Sequence, residues 1–247
     1  MRFFIGFERK LRMWRRKYAF IFYAGTRFHC PICNRSFGKF KSAGRNQYKR
    51  PNAICPQCNS RERDRLIHRF FLKNIESLKR DSCSVLHIAP EKSLELQLKA
   101  LASYMYINGD LFRTDVNLRF DIHALPFADE SFEIVYCSHV LQAVSDDNRA
   151  LAEIHRVLKP NGWAMINVPA RGKKTQDFSL QSDSNRPADF VRIYGDDFAD
   201  TLVRHGFRYE PIRVADYFDR DEQLRMRVDD KTVGALYLVS KANRVQP

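Results

Sequence analysis

Two Cys-x2-Cys pairs, strands alternating with helices from residue 84 onward, and a sharp drop in positive charge after residue 80 predict an α/β protein. The expected architecture is a small metal-binding ribbon followed by a parallel sheet covered on both faces by helices. The chain has 247 residues, 44% of them hydrophobic and 13% aromatic, enough to bury a core and too apolar for wholesale disorder. No apolar run approaches the ~18 residues that a membrane-spanning helix needs.

The chain opens on a basic, aromatic segment over residues 1–25. Arg2, Arg9, Lys10, Arg12, Arg15, Arg16 and Lys17 alternate there with Phe3, Phe4, Phe7, Trp14, Phe20 and Phe22. Three readings stand: it lies on an anionic membrane surface, it grips RNA, or it packs its aromatics on the fold and leaves its charges in water. The wider balance sharpens the question. Residues 1–80 hold 21 Lys+Arg against four acids, and residues 81–247 hold 21 against 25. Such a split points to a basic module for an anionic partner and a near-neutral module for something else.

Residues 26–60 form the predicted ribbon. Cys30-Pro-Ile-Cys33 and Cys55-Pro-Gln-Cys58 have the spacing with which two tight turns aim four thiolates at one tetrahedral zinc ion. Asn34 and Asn59 follow the pairs, and asparagine tolerates the left-handed backbone such turns use. Two disulfides in a secreted domain are the alternative, but the charged N-terminus and short apolar stretch do not read as a secretory signal. A reducing, cytoplasmic compartment follows from that reading. Cys83 and Cys137, flanked by apolar residues, read as inert core thiols.

A connecting helix is expected over residues 61–82, with Asn59 and Glu62 at capping-box spacing and Leu66, Ile67, Phe70, Phe71, Ile75 and Leu78 as its core-facing stripe. Beyond it the expected strands are 84–89, 104–108, 116–121, 132–137, 163–168, 209–214 and 235–240. Helices are expected over 93–103, from Asp146 to the Lys159-Pro160-Asn161-Gly162 stop, and over 196–205. Residues 170–189 read as a long polar loop, of the length usually used for lids or binding.

The run DIHALPFADESFEIVYCSHVL (residues 121–141) and the run EIHRVLKPNGW (153–163) resemble class I S-adenosylmethionine-dependent methyltransferases of the type 11 kind. The cysteine pairs ahead of them resemble a subgroup with an N-terminal zinc ribbon. The resemblance implies a Rossmann-like, seven-stranded methyltransferase sheet over residues 83–247, with S-adenosylmethionine as cofactor. It also implies site positions. His87, Ala89 and Glu91 occupy the cofactor loop after the first strand. Asp110 ends the second strand, where an acid accepts hydrogen bonds from ribose hydroxyls; the plain alternative is a turn-forming aspartate, against which Gly109 favours close ligand approach. Asp121, Ile122 and His123 match the segment that brackets adenine.

Two departures from the family pattern matter. The glycine-rich cofactor loop reads HIAPEKS here, with Ala89, Glu91 and Ser93 at glycine positions and His87 at the acid. Side chains there narrow the pocket unless the loop takes another path, although Glu91 can face the cofactor's ammonium group. The other is Gln142-Ala143 where the pattern has Glu-His, which weakens general-base chemistry in that stretch. His139, after the fourth strand, is the candidate to orient the acceptor or take its proton; the alternative is a histidine that only bonds its loop. Arg192 and Tyr194 resemble an acceptor-side segment of the zinc-ribbon subgroup. The expected function is therefore methyl transfer to a small molecule, a glycan or RNA. The competing reading is a non-catalytic fold whose ribbon and basic arm bind RNA or an anionic membrane.

Overall fold

The computed structural model describes residues 18–44, 49–78, 81–178 and 190–242. The basic positions up to Lys17, with Trp14, therefore lie outside the described residues, as do residues 179–189 of the long polar segment. A one-turn helix α1 (Ala19–Phe22) precedes four short ribbon strands, β1 (Phe28–Cys30), β2 (Arg35–Phe37), β3 (Lys41–Ala43) and β4 (Arg50–Ile54). These pair as two antiparallel hairpins, β1 with β2 and β3 with β4. Phe28, Phe37 and Phe40 fill the space between them, a core so small that a metal is the expected reinforcement.

Helix α2 (Glu62–Leu78) links the ribbon to the sheet. Leu66, Ile67, Phe70, Phe71 and Leu78 are buried as the periodicity required, and Ile75 packs at the edge of the same cluster. The expected capping box is absent: the Asn59 carboxamide accepts from Lys41, and Glu62 pairs with Arg50. The first turn is held instead by Asp64, which accepts a hydrogen bond from the Arg61 backbone N–H at 2.9 Å.

Seven strands follow in one sheet: β5 (Ser84–Ile88), β6 (Met105–Asp110), β7 (Leu118–Arg119), β8 (Phe132–Ser138), β9 (Leu158–Val168), β12 (Phe207–Pro211) and β13 (Ala235–Lys241). Their order is β12-β13-β9-β8-β5-β6-β7. Strands β5 to β9 are parallel, and β13 runs antiparallel to both β9 and β12. The chain leaves β5 toward β6 and β7, then returns to its other side at β8. That reversal opens a crevice at the carboxyl ends of β5 and β8, where ligands collect in such sheets.

Helices α3 (Glu95–Leu101) and α4 (Asp147–Val157) carry the crossovers, and Asp146 caps α4 by accepting from the Arg149 N–H at 2.9 Å. Leu151, Ile154 and Val157 of α4 pack on one sheet face with Val135 and Cys137. The α2 stripe packs on the other with Ile134 and Tyr136. Cys83 and Cys137 are buried and form no disulfide.

Four expectations need correction. The strand expected over 116–121 shrinks to the two residues of β7, because an edge strand pairs on one side only. The strand expected over 209–214 lies at Phe207–Pro211, in register with β13. The polar loop contains a short ribbon, β10 (Gln176–Asp177) paired with β11 (Arg192–Ile193), ahead of helix α5 (Phe198–Arg204). Residues 215–233, for which the sequence predicts no element, complete a 3-10 turn (Val214–Asp216) and hold helices α6 (Arg220–Met226) and α7 (Asp230–Val233). Asp219 and Glu222 form a reciprocal capping box on α6. Helix α6 packs against β1, so the C-terminal insertion seats the ribbon.

Candidate functional site

The four ribbon cysteines converge. All their Sγ atoms lie within 4.8 Å of one another, with Cys30–Cys58 at 3.6 Å and Cys33–Cys55 at 3.7 Å. A tetrahedral ion with Zn–S bonds of about 2.3 Å places its sulfurs about 3.8 Å apart, whereas a disulfide needs about 2 Å. The donor set therefore fits zinc, and all four thiols are free. Asn34 and Asn59 close the two turns at φ +50° and +61°, the left-handed conformation expected of them. Ser60 Oγ lies 3.3 Å from Cys30 Sγ and 3.1 Å from Cys58 Sγ, within reach to donate to thiolates. Beside the centre, buried Arg65 donates to the carbonyls of Ala53, Ser60 and Arg227, tying ribbon, helix and C-terminal insertion together.

A second group of polar side chains gathers at the carboxyl ends of the central strands. Ala89 follows β5 at φ +50°, its N–H donating to the Gly109 carbonyl at 2.8 Å. The loop thus keeps the left-handed turn that glycine adopts freely, at a cost of about 1–2 kcal/mol for alanine. His87 is fully buried, with Nδ1 2.9 Å from Tyr106 Oη and Nε2 3.3 Å from Glu91 Oε2. Glu91 also faces Arg63 Nη2 at 3.5 Å. Burial would raise the Glu91 carboxyl, but the His87 ring and the Arg63 charge outweigh it and hold it below its ordinary value.

Asp110 ends β6. Its Oδ1 accepts from the N–H groups of Phe112 and Arg113 at 2.8 and 3.0 Å, while Oδ2 has no hydrogen bond among the described residues. Exposed Leu111 and Phe112 beside it offer an apolar face that sequence reasoning missed; a lone exposed aromatic carries no signal in sequence. Gly109 has a different reason from the one expected. A Cβ there would sit 2.0 Å from the Phe120 ring, so the close approach is internal packing.

Asp121 is exposed next to this site, and the Phe120 N–H reaches the Asp110 carbonyl at 3.4 Å. Its Oδ1 accepts from the His123 N–H at 2.9 Å and the His123 ring at 2.7 Å, which lowers its pKa. Ile122 is buried beneath them.

His139 follows β8 at φ +54°, with its N–H donating to the Asn167 carbonyl. Its Nε2 is sealed from solvent and bonds to nothing among the described residues; the same holds for Gln142 Oε1. The Gln142 amide donates to the His139 carbonyl at 2.6 Å. Burial, and then the charges of Arg63, Arg61 and Arg50, push the His139 pKa well below its usual value. His139 is therefore neutral near pH 7, a weaker base than an ordinary imidazole, with a ring nitrogen able to accept a hydrogen bond.

Arg192 and Tyr194 are buried and hold the loop after His139. Arg192 donates to the carbonyls of Leu141, Val144 and Ser145, and Tyr194 Oη donates to Asp147 at 2.7 Å. Sequence reasoning also missed the charged first turn of α2. Glu62, Arg63, Asp64 and Arg65 are all buried, although four consecutive charges ordinarily read as a solvated face.

Residues 93–166 match the family described as a methyltransferase domain. Over 120 residues the chain is 32% identical to malonyl-(acyl-carrier protein) O-methyltransferase of Methylovorus sp. (strain MP688), covering 47% of this chain and 40% of that protein. Over 42 residues it is 50% identical to the ubiquinone/menaquinone biosynthesis C-methyltransferase UbiE of Desulfotalea psychrophila, 17% of each chain. The chain thus spans less than half the length of these curated relatives. Among solved structures, the citrinin polyketide synthase CMeT domain superposes with a TM-score of 0.51 at 14% identity, covering 77% of this chain and 54% of that one. The (4+2)-cyclase SpnF gives 0.50 at 14% identity, covering 83% and 85%. These likenesses show the fold, and one fold hosting a cyclase leaves the reaction to be argued from the site.

Proposed function

We propose that this chain, a member of the class I S-adenosylmethionine-dependent methyltransferases, binds that cofactor across the carboxyl ends of β5, β6 and β7 and presents a methyl acceptor beside His139. What supports the reading is that Glu91, Asp110, Asp121 and His139 stand at or just beyond the carboxyl ends of the neighbouring parallel strands β5, β6, β7 and β8.

The residues fit the cofactor's chemistry. Asp110 Oδ2 is placed to accept from a ribose hydroxyl while Oδ1 keeps the loop in position. Leu111 and Phe112 offer apolar surface to the purine, and the Asp121–His123 turn stands at its polar edge. The Glu91 carboxylate suits an ammonium group once it exchanges one of its present partners. When bound, the cofactor supplies an electrophilic methyl group on a sulfonium. Neutral His139 accepts a hydrogen bond from the acceptor's O–H or N–H and so orients it toward the methyl group, and Gln142 holds the turn on which His139 sits. Arg192 and Tyr194 act as positioning residues by bracing the 141–145 loop. The ribbon cysteines hold one structural zinc ion.

Calorimetry on the zinc-loaded chain tests the reading. S-adenosylmethionine and S-adenosylhomocysteine should each bind at one per chain, and Asp110→Ala should weaken both by about 1.5–3 kcal/mol, the scale of a hydrogen bond to a charged group. Absence of binding by either would overturn the reading in favour of a non-catalytic binding module.

A further inference from the structure

The crevice beside His139 contains more donor and acceptor capacity than the protein uses. The Arg63 guanidinium is buried and carries five N–H donors, yet its contacts are all long: 3.3 Å to Ser138 Oγ, 3.5 Å to Glu91 and 3.6 Å to Asp64. Arg61, two residues earlier, is exposed at the start of α2, and its side chain has no hydrogen bond or ion pair among the described residues. The three acids near them are already engaged. Glu62 is bidentate with Arg50 at 2.9 and 3.4 Å, Asp64 accepts from the Arg61 N–H and Ser93, and Glu91 meets His87 and Arg63. Burial also lifts the Asp64 carboxyl above the usual range against the pull of Arg63.

The charges of Arg63 and Arg61 bear on the His139 ring, whose Nε2 has no hydrogen-bond partner among the described residues, and Gln142 Oε1 on the same turn has none either. A buried polar atom left unpaired costs about 1–3 kcal/mol, so two together ask for a missing group. That group must offer negative charge to Arg61 and Arg63 and an O–H or N–H to His139. A neutral acceptor would leave the guanidiniums as they are, and a cation would be repelled by them.

We infer that the methyl acceptor is a small molecule bearing a carboxylate or phosphate, held by Arg61 and Arg63 with its reacting O–H or N–H on His139 Nε2. Nε2, already sealed from solvent, is more readily reached by a small molecule than by a folded polymer. The inference rests on the function proposed above. The same anion chemistry has a second source, the α-carboxylate of the cofactor itself, and the experiment separates the two.

Inorganic phosphate is titrated calorimetrically into the full, zinc-loaded chain saturated with S-adenosylhomocysteine. Phosphate should bind saturably, and Arg61→Gln should weaken it by about tenfold or more, as expected for loss of a charge-assisted contact. Arg61→Lys should recover part of that loss, which separates lost charge from misfolding. S-adenosylhomocysteine affinity should be the same in all three proteins. Saturable binding that ignores Arg61→Gln, or no phosphate binding by the loaded wild type, would overturn the inference. So would an Arg61→Gln loss confined to S-adenosylhomocysteine and absent for 5′-methylthioadenosine, because the guanidinium would then serve the cofactor's carboxylate. If the wild type binds no S-adenosylhomocysteine, the proposed function fails by that result alone. The same variants on the unloaded chain then decide whether the anion site exists without it.

Discussion

His139 concentrates several costs in one residue: a left-handed backbone and a ring nitrogen sealed from solvent with no hydrogen-bond partner among the described residues. The ring's depressed pKa has a stability consequence with a definite sign. Below about pH 6.5 the unfolded chain binds a proton on this residue that the folded chain does not, so stability falls as pH falls, by about 1.4 kcal/mol per pH unit. Above that pH the contribution is flat. His139→Asn keeps a residue that tolerates the left-handed turn but removes the titration. Urea unfolding at pH 7.5, 6 and 5 should therefore show the wild type losing stability more steeply than the variant; parallel losses would mean the ring is solvated. Ala89 allows a second test at this scale. Relief of its φ of +50° should outweigh the greater freedom of glycine in the unfolded chain. Ala89→Gly should accordingly stabilise the protein by about 0.5–1 kcal/mol, read as a raised Tm.

The decisive element is α2, which works at both ends of its first two turns. Arg65 fastens the ribbon from within, Arg63 reaches Ser138 at the carboxyl end of β8, and the apolar stripe beyond them anchors on the sheet. The metal centre should thus be locally essential and globally dispensable. Zinc is expected at one ion per chain, and chelation or Cys55→Ser should release it. Amide exchange should then accelerate across residues 28–58, the first turn of α2 and α6, while the central strands keep their protection. Equal loss across β5, β8 and β9 would show that ribbon and sheet fold as one unit. The α2 stripe was legible from its 3.6-residue period. Its charged first turn was not, because whether Arg-Glu-Arg-Asp-Arg meets water or a crevice depends on partners up to 162 residues away.

For the whole molecule, the uneven charge acquires a different meaning once folded. Arg63 and Arg65 are buried, and Arg50 and Arg69 are paired with Glu62 and Glu222. Part of the positive excess of residues 1–80 is therefore internal wiring, and less of it is available as a surface. No helix among the described residues is long and apolar enough to cross a membrane. If the basic N-terminal segment grips RNA, the logarithm of affinity should fall with the logarithm of salt by about 0.7 per phosphate contact on a single strand. Charge reversal at Arg12, Arg15 and Arg16 should then weaken all RNA sequences alike. Binding to anionic vesicles that depends on Trp14 and Phe22, with no RNA shift at low salt, would assign the segment to a lipid surface instead.

Sequence alone determined what depends on local spacing and period. The Cys-x2-Cys pairs and their asparagines, the α2 and α4 stripes, the Asp146 cap and the central parallel strands each follow from a few neighbouring residues. Tertiary structure decided what depends on distant partners. It showed that Gly109 makes room for Phe120, that Arg192 and Tyr194 brace a loop, and that helices α6 and α7 fill residues the sequence pattern left empty. It also brought Arg63 to Ser138, the residue before His139, since only folding brings a helix turn and a strand end some 75 residues apart to within hydrogen-bonding distance.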